Sequence, residues 1–534
     1  MEKTKEQIKS FIEEGKAVLG IEFGSTRIKG VLVDDDHNCI ATGIFDWENA
    51  YVDGLWTYSE DTIMTGLKSC YGSLRADVME KYGVKLEKLA ALGISGMMHG
   101  YIALDKDGKL LAPFRTWRNT NTAQAAGALS DLFDFNIPMR WSISHLYQAV
   151  LNKEEHVKDI AFLTTLAGFI HLKLTGEKVL GVGEASGMFP IDSATLNYDE
   201  NMLSKFETID EIKAFPWNIR QILPKVLPAG EKAGVLTEAG AKLLDETGSL
   251  HAGTPVAPPE GDAGTGMTAT NSVGVRTGNV SAGTSVFAMV VMEKPLKKRH
   301  DEIDLVTTPS GEAVAMVHCN NCTSDINAWV GLFREFAKLS GHEMSDNDIY
   351  GVLYKNAMTG AENCGGVINF NTVSGEPVIG LSEGRPMIVR KPDADMNLAN
   401  FIRSCLYGSL AALKIGCDIL FKEEGVAVDT LYAHGGLFKT EGVGQNILAA
   451  AMNAPVSVMK NAGEGGPWGM AILASYMLYK KDGEILADYL NSKVFTGGDV
   501  TTVAPDGASV KGFDEYIESF KALNPVEKAA TEVF

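Results

Sequence analysis

Two short stretches of the chain place a glycine and neighbouring hydroxyls in a tight turn between apolar runs. Gly24-Ser25-Thr26-Arg27 separates Ala17–Ile21 from Ile28–Val33, and Gly283-Thr284-Ser285 separates Gly278–Ala282 from Val286–Val291. Such a turn offers consecutive backbone N–H groups to phosphate oxygens, and glycine lets the backbone approach closely. Each turn alone also reads as an ordinary hairpin; the recurrence is what makes the pair informative. Glu22, at the end of the first strand, is a carboxylate able to hold Mg²⁺ directly or through water, or else a solvated strand-end acid. Asp262 lies in the bend Gly261-Asp262-Ala263-Gly264. Phosphoryl transfer to an alcohol needs a group that accepts the hydroxyl proton, and an Asp suits that task. The alternative for Asp262 is a cap on the helix that follows.

A second group of residues suits a polar small molecule. Ser95-Gly-Met97-Met98-His99-Gly100 lies between the apolar runs Leu92–Ile94 and Tyr101–Leu104. A histidine there can hydrogen-bond a sugar hydroxyl, or be a buried, satisfied core residue. Trp117-Arg118-Asn119 adds an aromatic surface and polar groups, although Trp is also a common core residue. Gly435-Gly436-Leu437 ends a strand-like run, where paired glycines either admit a flat ring to the backbone or make a simple strand-to-helix turn. Cys319-Asn-Asn-Cys322 has no second pair to complete a four-ligand zinc site, so it reads as packing. Gly264-x-Gly266-x-x-Ala269 lacks the preceding strand of a dinucleotide fingerprint, and no GxxxxGK[ST], HExxH or GxSxG motif is present. Any ATP site in this chain is therefore not a P-loop.

The elements that must position these residues follow from pattern. The 534 residues exceed one ordinary core. Strand, Gly-hydroxyl turn, strand occurs near the start of each half, which suggests two lobes of common design. Helical periodicity marks 122–132, 145–152, 326–340, 397–423 and 442–452, and its alternation with strands places the chain in the α/β class. The Pro- and Gly-rich 250–262 reads as a hinge approach. With 48 Lys+Arg against 68 Asp+Glu the net charge is −20, which argues against a nucleic-acid partner. No run reaches the ~18 consecutive apolar residues of a membrane helix. Met1–Lys16 reads as a short amphipathic helix, not a signal peptide. Seven cysteines, an odd number, fit a reducing cytoplasm better than a disulfide framework.

Taken in order, these segments resemble the FGGY carbohydrate kinases of the actin-like, sugar kinase and Hsp70 ATPase superfamily, from Val18 to Met477. Gly20–Lys29 is similar to the first phosphate motif, Ile94–Gly100 to the xylulokinase sugar segment, Gly261-Asp262 to the catalytic step, Gly278–Ser285 to the second phosphate motif and Gly435-Gly436 to the adenosine motif. Leu174-Thr-Gly176, Ala454-Pro-Val456, Glu464 and Gly469-Met-Ala471 also fit the family's spacing. The resemblance implies two ribonuclease-H-like lobes, residues 1–262 and 263–534, with an interlobe active-site cleft. It implies ATP and Mg²⁺ as cofactors and a small sugar as partner, with a homodimer compatible. It makes Asp262 the general base and substrate contact. Met98, His99, Trp117 and Asn119 become sugar contacts and Glu22 the metal ligand. Gly24, Ser25, Thr26, Arg27, Gly283, Thr284, Ser285, Gly435, Gly436 and Leu437 become the ATP contacts. The expected reaction is phosphorylation of a ketopentose at its terminal hydroxyl, D-xylulose first, with L-ribulose or another small sugar or polyol as the alternative substrate; a non-catalytic nucleotide-dependent regulator on the same fold is the rival. The chain departs from the family in having Glu22 for the usual Asp, Trp117-Arg-Asn119-Thr-Asn121 for Trp-x-Asp-x-Arg, and Ala263 for Asn.

Overall fold

The structure, a computed structural model, describes residues 3–459, 465–497 and 500–533; Glu464 lies outside them. The chain forms two compact units. The first comprises Met1–Gly274, Leu305–Val314 and Ala462–Gly497, the second Val275–Asp304, Ala315–Asn461 and Gly498–Phe534.

The first unit is built on a five-stranded sheet. Its strands are β1 (Val18–Phe23), β2 (Arg27–Val33), β3 (Cys39–Asp46), β4 (Ala91–Gly96) and β5 (Glu260–Gly261). They lie in the order β5-β4-β1-β2-β3. The two predicted strands around Gly24 are an antiparallel hairpin, and β1 runs parallel to β4, so Phe23 stands beside Gly96. Both strands are apolar runs because both faces of the sheet are covered. Helix α1 (Glu60–Tyr82) packs on β2 and β3. Ser59 caps it by accepting from Thr62 N–H, and the left-handed Gly83 ends it. Helices α2 (Asp262–Ala269) and α4 (Gly465–Tyr479) pack on each other and α4 on β1 and β4.

The second unit repeats the design. Its sheet contains β6 (Thr277–Ala282), β7 (Val286–Val291), β8 (Ala313–Cys319), β9 (Thr430–Gly435), β10 (Val456–Met459) and β11 (Val500–Val503), in the order β8-β7-β6-β9-β10-β11. Again the first strand forms an antiparallel hairpin with the second and runs parallel to a later one, which sets Ala282 beside Gly435. Helix α3 (Leu398–Asp418), continued by a π turn to Glu424, has a mean hydropathy of 1.4 in its most apolar window. That window is 78% buried, which identifies a core helix.

Two expectations change. The division falls at Gly274/Val275 and not at 262/263, because α2 grows directly out of β5 and packs in the first unit, to which α4 also returns. The stretch expected as a hinge approach instead runs, from Thr254 on, along the edge of the first sheet: Leu92 N–H donates to Pro255 O, and Leu92 O accepts from Ala257 N–H. Pro is tolerated at such an edge because no ladder donor is needed there.

Candidate active site

In the first unit, β1, β4, β5 and α2 bring four predicted residues together. Asp262 is the first residue of α2, while Gly261 occupies the cap position without a side-chain bond. Asp262 Oδ1 instead accepts from Met98 N–H at 3.1 Å. The cap reading is therefore not the one the fold takes, and the carboxylate is aimed at the turn after β4. The residue as a whole is exposed, yet desolvation of its carboxyl by the protein packed around it raises its pKa above the usual Asp range, opposed by the N–H groups of Met98 and Ala263.

Glu22 lies at the end of β1, across from Ser95 in the parallel register. Its Oε2 accepts from Thr265 Oγ1 at 3.2 Å and Ser95 Oγ at 3.4 Å. Burial, then the nearby Asp262 charge, pushes its pKa up to about 8, against the pull of the two hydroxyls. Lys29, opposite Glu22 in the hairpin, is a nearby positive charge, and the two carboxyls and two hydroxyls form a hard-oxygen set that fits a divalent cation.

His99 takes a left-handed backbone conformation, φ 71°, and Gly100 follows at φ 88°. The chain reverses tightly here, with the imidazole buried beside Gly187 and Trp141. His99 is 6% exposed, its Nδ1 lies 3.2 Å from Gly187 O, and its ring stacks on Trp141. Trp117 is half-exposed and donates Nε1–H to Ser25 Oγ at 3.2 Å, so it braces the first turn. Asn119 is a correction. Its Oδ1 accepts from Trp56 N–H, and its Nδ2 donates to the carbonyls of Trp56 and Thr116. With 4% exposure and its amide engaged by backbone, it clamps a loop and does not face a sugar.

The first turn is held by its carbonyls. Gly24 O accepts from Trp47 Nε1, Ser25 O from Tyr58 OH, and Thr26 O from Trp47 N–H. Trp47 and Tyr58 stack at 4.0 Å. The N–H groups of Ser25 and Thr26 have no partner among the described residues, as an anion cradle requires. Arg27 pairs with Asp46, so only its backbone belongs to the turn.

The second unit solves the same problem differently. Thr284 O accepts from Cys322 N–H at 2.9 Å, and Gly283 O from the N–H and Oγ1 of Thr323 at 3.1 and 2.7 Å. The N–H groups of Thr284 and Ser285 have no partner among the described residues. Cys319-Asn-Asn-Cys322 thus buttresses the turn; both thiols are buried and free. A Cβ on Gly283 would meet nothing within 4 Å, and its φ is not positive. The position is open, not strained. Beside this turn, Gly435 (φ 113°) lets the backbone pass Ala282. Gly436 opens a short 3₁₀ turn, and Leu437 is buried, so only its backbone can face a ligand.

Glu184 and Glu260 were missed. Glu260 accepts from Gly183 N–H (3.3 Å) and Glu184 N–H (2.9 Å), and burial raises its pKa to about 8. Glu184 is wholly buried against Gly261. Glu260 was legible as the acid just before Gly261-Asp262; Glu184, 76 residues earlier than Glu260, carries no local signal.

Known proteins share this architecture. Residues 17–268 match the N-terminal and residues 278–478 the C-terminal domain model of the FGGY family of carbohydrate kinases. A xylulose kinase of Haemophilus influenzae is 22% identical over 444 residues, 80% of this chain and 83% of the relative. The crystal structure of a gluconate kinase from Lactobacillus acidophilus superposes with a TM-score of 0.76 at 18% identity, covering 96% of this chain and 99% of that one. The Plasmodium falciparum glycerol kinase with ADP gives 0.72 at 17%, covering 95% and 98%. Both show the two-domain actin-like ATPase type of fold. The chain is an enzyme of the FGGY family of carbohydrate kinases.

Proposed function

We propose that the enzyme phosphorylates a ketopentose at its terminal hydroxyl, converting D-xylulose to D-xylulose 5-phosphate, with L-ribulose the next substrate to test. The observation that carries this reading is Asp262 bonded to the backbone of Met98, beside His99. A carboxylate fixed there, with its pKa lifted by desolvation, is suited to act as a base beside polar groups able to bind a sugar. The xylulose kinases among the relatives favour the pentulose.

On this reading Asp262 accepts the proton of the attacking hydroxyl, while Met98, His99 and Trp117 orient the sugar. The open N–H groups of Thr284 and Ser285 and the glycines 435 and 436 hold the nucleotide in the second unit, and Ser25 and Thr26 offer the same donors in the first. Kinases of this family use ATP, which supplies the transferred phosphoryl group. Glu22 would hold Mg²⁺, whose charge neutralises the phosphate oxygens. The chain's own part is positioning and charge stabilisation.

The test is a coupled ADP-release assay with D-xylulose, L-ribulose, glycerol and gluconate, on wild type and Asp262→Asn. The variant should lose about 10²- to 10⁴-fold in turnover while still binding sugar and nucleotide. A folded variant keeping more than about a tenth of wild-type turnover removes Asp262 from the role of base. Wild-type activity confined to glycerol or gluconate overturns the substrate and leaves the kinase.

A further inference from the structure

Glu184 is a buried carboxyl that the mechanism above does not use. It sits on the short turn Val182–Ala185 in the first unit. It is 0% exposed, and neither carboxyl oxygen has a hydrogen-bond partner among the described residues. Yet it touches the most sensitive peptide of the site. A Cβ on Gly261 would collide with Glu184 Oε2, so the carboxyl packs against the bare Cα of the residue before Asp262.

The contact is one half of a reciprocal clasp. Glu260 reaches the other way and accepts from the N–H groups of Gly183 and Glu184. The turn it holds is braced by Thr307, whose N–H donates to Ser186 Oγ and whose Oγ1 donates to Val182 O. Gly187, at the end of the same turn, is the partner of His99 Nδ1. One turn therefore touches the residue before the base on one side and the histidine on the other.

We propose that Glu184 is a positioning residue that fixes, through the Val182–Gly187 turn, both the Gly261–Asp262 step and His99; this rests on the reading of Asp262 as the base. Glu184 does so as a neutral acid. The groups facing it are Asp262, Glu260, Thr165 and Tyr198. None is a cation, and burial holds its pKa well above the ordinary carboxylate range. Glu260 has two backbone N–H donors to favour a charge, whereas Glu184 has only the Thr165 hydroxyl facing it, so of the two the proton stays on Glu184.

The experiment compares Glu184→Ala, Glu184→Gln and Asp262→Asn in steady-state kinetics with the sugar the wild type accepts. Glu184→Ala should lower turnover about 10- to 100-fold and raise the sugar KM, with the KM for ATP unchanged, because loss of the clasp lets base and histidine drift. Glu184→Gln, of the same shape and neutral, should recover most of that loss. Infrared difference spectra of wild type against Glu184→Gln should lose one protonated-carboxyl stretch, and this stands even if the alanine variant does not fold. Wild-type turnover in Glu184→Ala, with Asp262→Asn inactive, overturns the clasp and leaves the base. An active Asp262→Asn overturns the base whatever Glu184 does. An unchanged carboxyl stretch overturns the neutral acid.

Discussion

Gly435→Ala is the sharpest test of the second unit's nucleotide turn. Gly435 ends β9 at φ 113° and ψ −178°, a region that only glycine occupies without strain. A Cβ there would collide with the carbonyl oxygen of Ala282 and lie 2.8 Å from its carbonyl carbon. Both atoms are backbone and belong to the residue before Gly283, so neither can rotate away. The backbone strain costs about 1–3 kcal/mol and the forced overlap a similar amount, about 2–6 kcal/mol together. Relief requires β9 to part from β6 where Ala282 and Gly435 pair, which displaces the Gly283–Ser285 turn. The variant should unfold at lower urea concentration and bind ADP more weakly by calorimetry. Gly436→Ala is the control, since its Cβ meets nothing within 4 Å. It should keep wild-type stability, and only its nucleotide affinity should change. A Gly435→Ala protein as stable as wild type, with unchanged ADP affinity, would refute the account of this turn.

Asn119→Ala should destabilise the first unit by about 1–3 kcal/mol, because Trp56 N–H and the carbonyls of Trp56 and Thr116 lose their partner. A tenfold rise in sugar KM at unchanged urea stability would return Asn119 to the sugar site. In the second unit, burial lifts the pKa of Glu376 to about 6 and of Glu527 to about 7. An unfolded Glu titrates near about 4.3, so folding takes up protons in this window and stability falls as pH rises from about 4 to about 7. Glu527→Gln should therefore gain on wild type as pH rises from about 5 to about 8 in urea unfolding, and a pH-independent difference would count against it.

The sequence by itself determined what is local. The strand–turn–strand units around Gly24 and Gly283 were legible because apolar runs broken by glycine and hydroxyls specify a hairpin within a few residues. The helices near 123–133, 324–339 and 444–452 followed from their periodicity. Asp262 and Glu22 stood out as acids at element ends, and the ordered motifs identified the family. Tertiary structure decided everything that depends on which distant segments meet. Asn119 looks like a sugar ligand beside Trp117, but the partner that engages it is Trp56, 63 residues away. Cys319–Cys322 has no chemistry of its own until the loop after β8 lies against Gly283–Ser285. Glu184 is an unremarked acid in sequence and a buried wedge behind Asp262 in space. Periodicity and turn chemistry are set by neighbours along the chain, whereas a side chain's charge, exposure and partners are set by neighbours across the fold, and only packing supplies those.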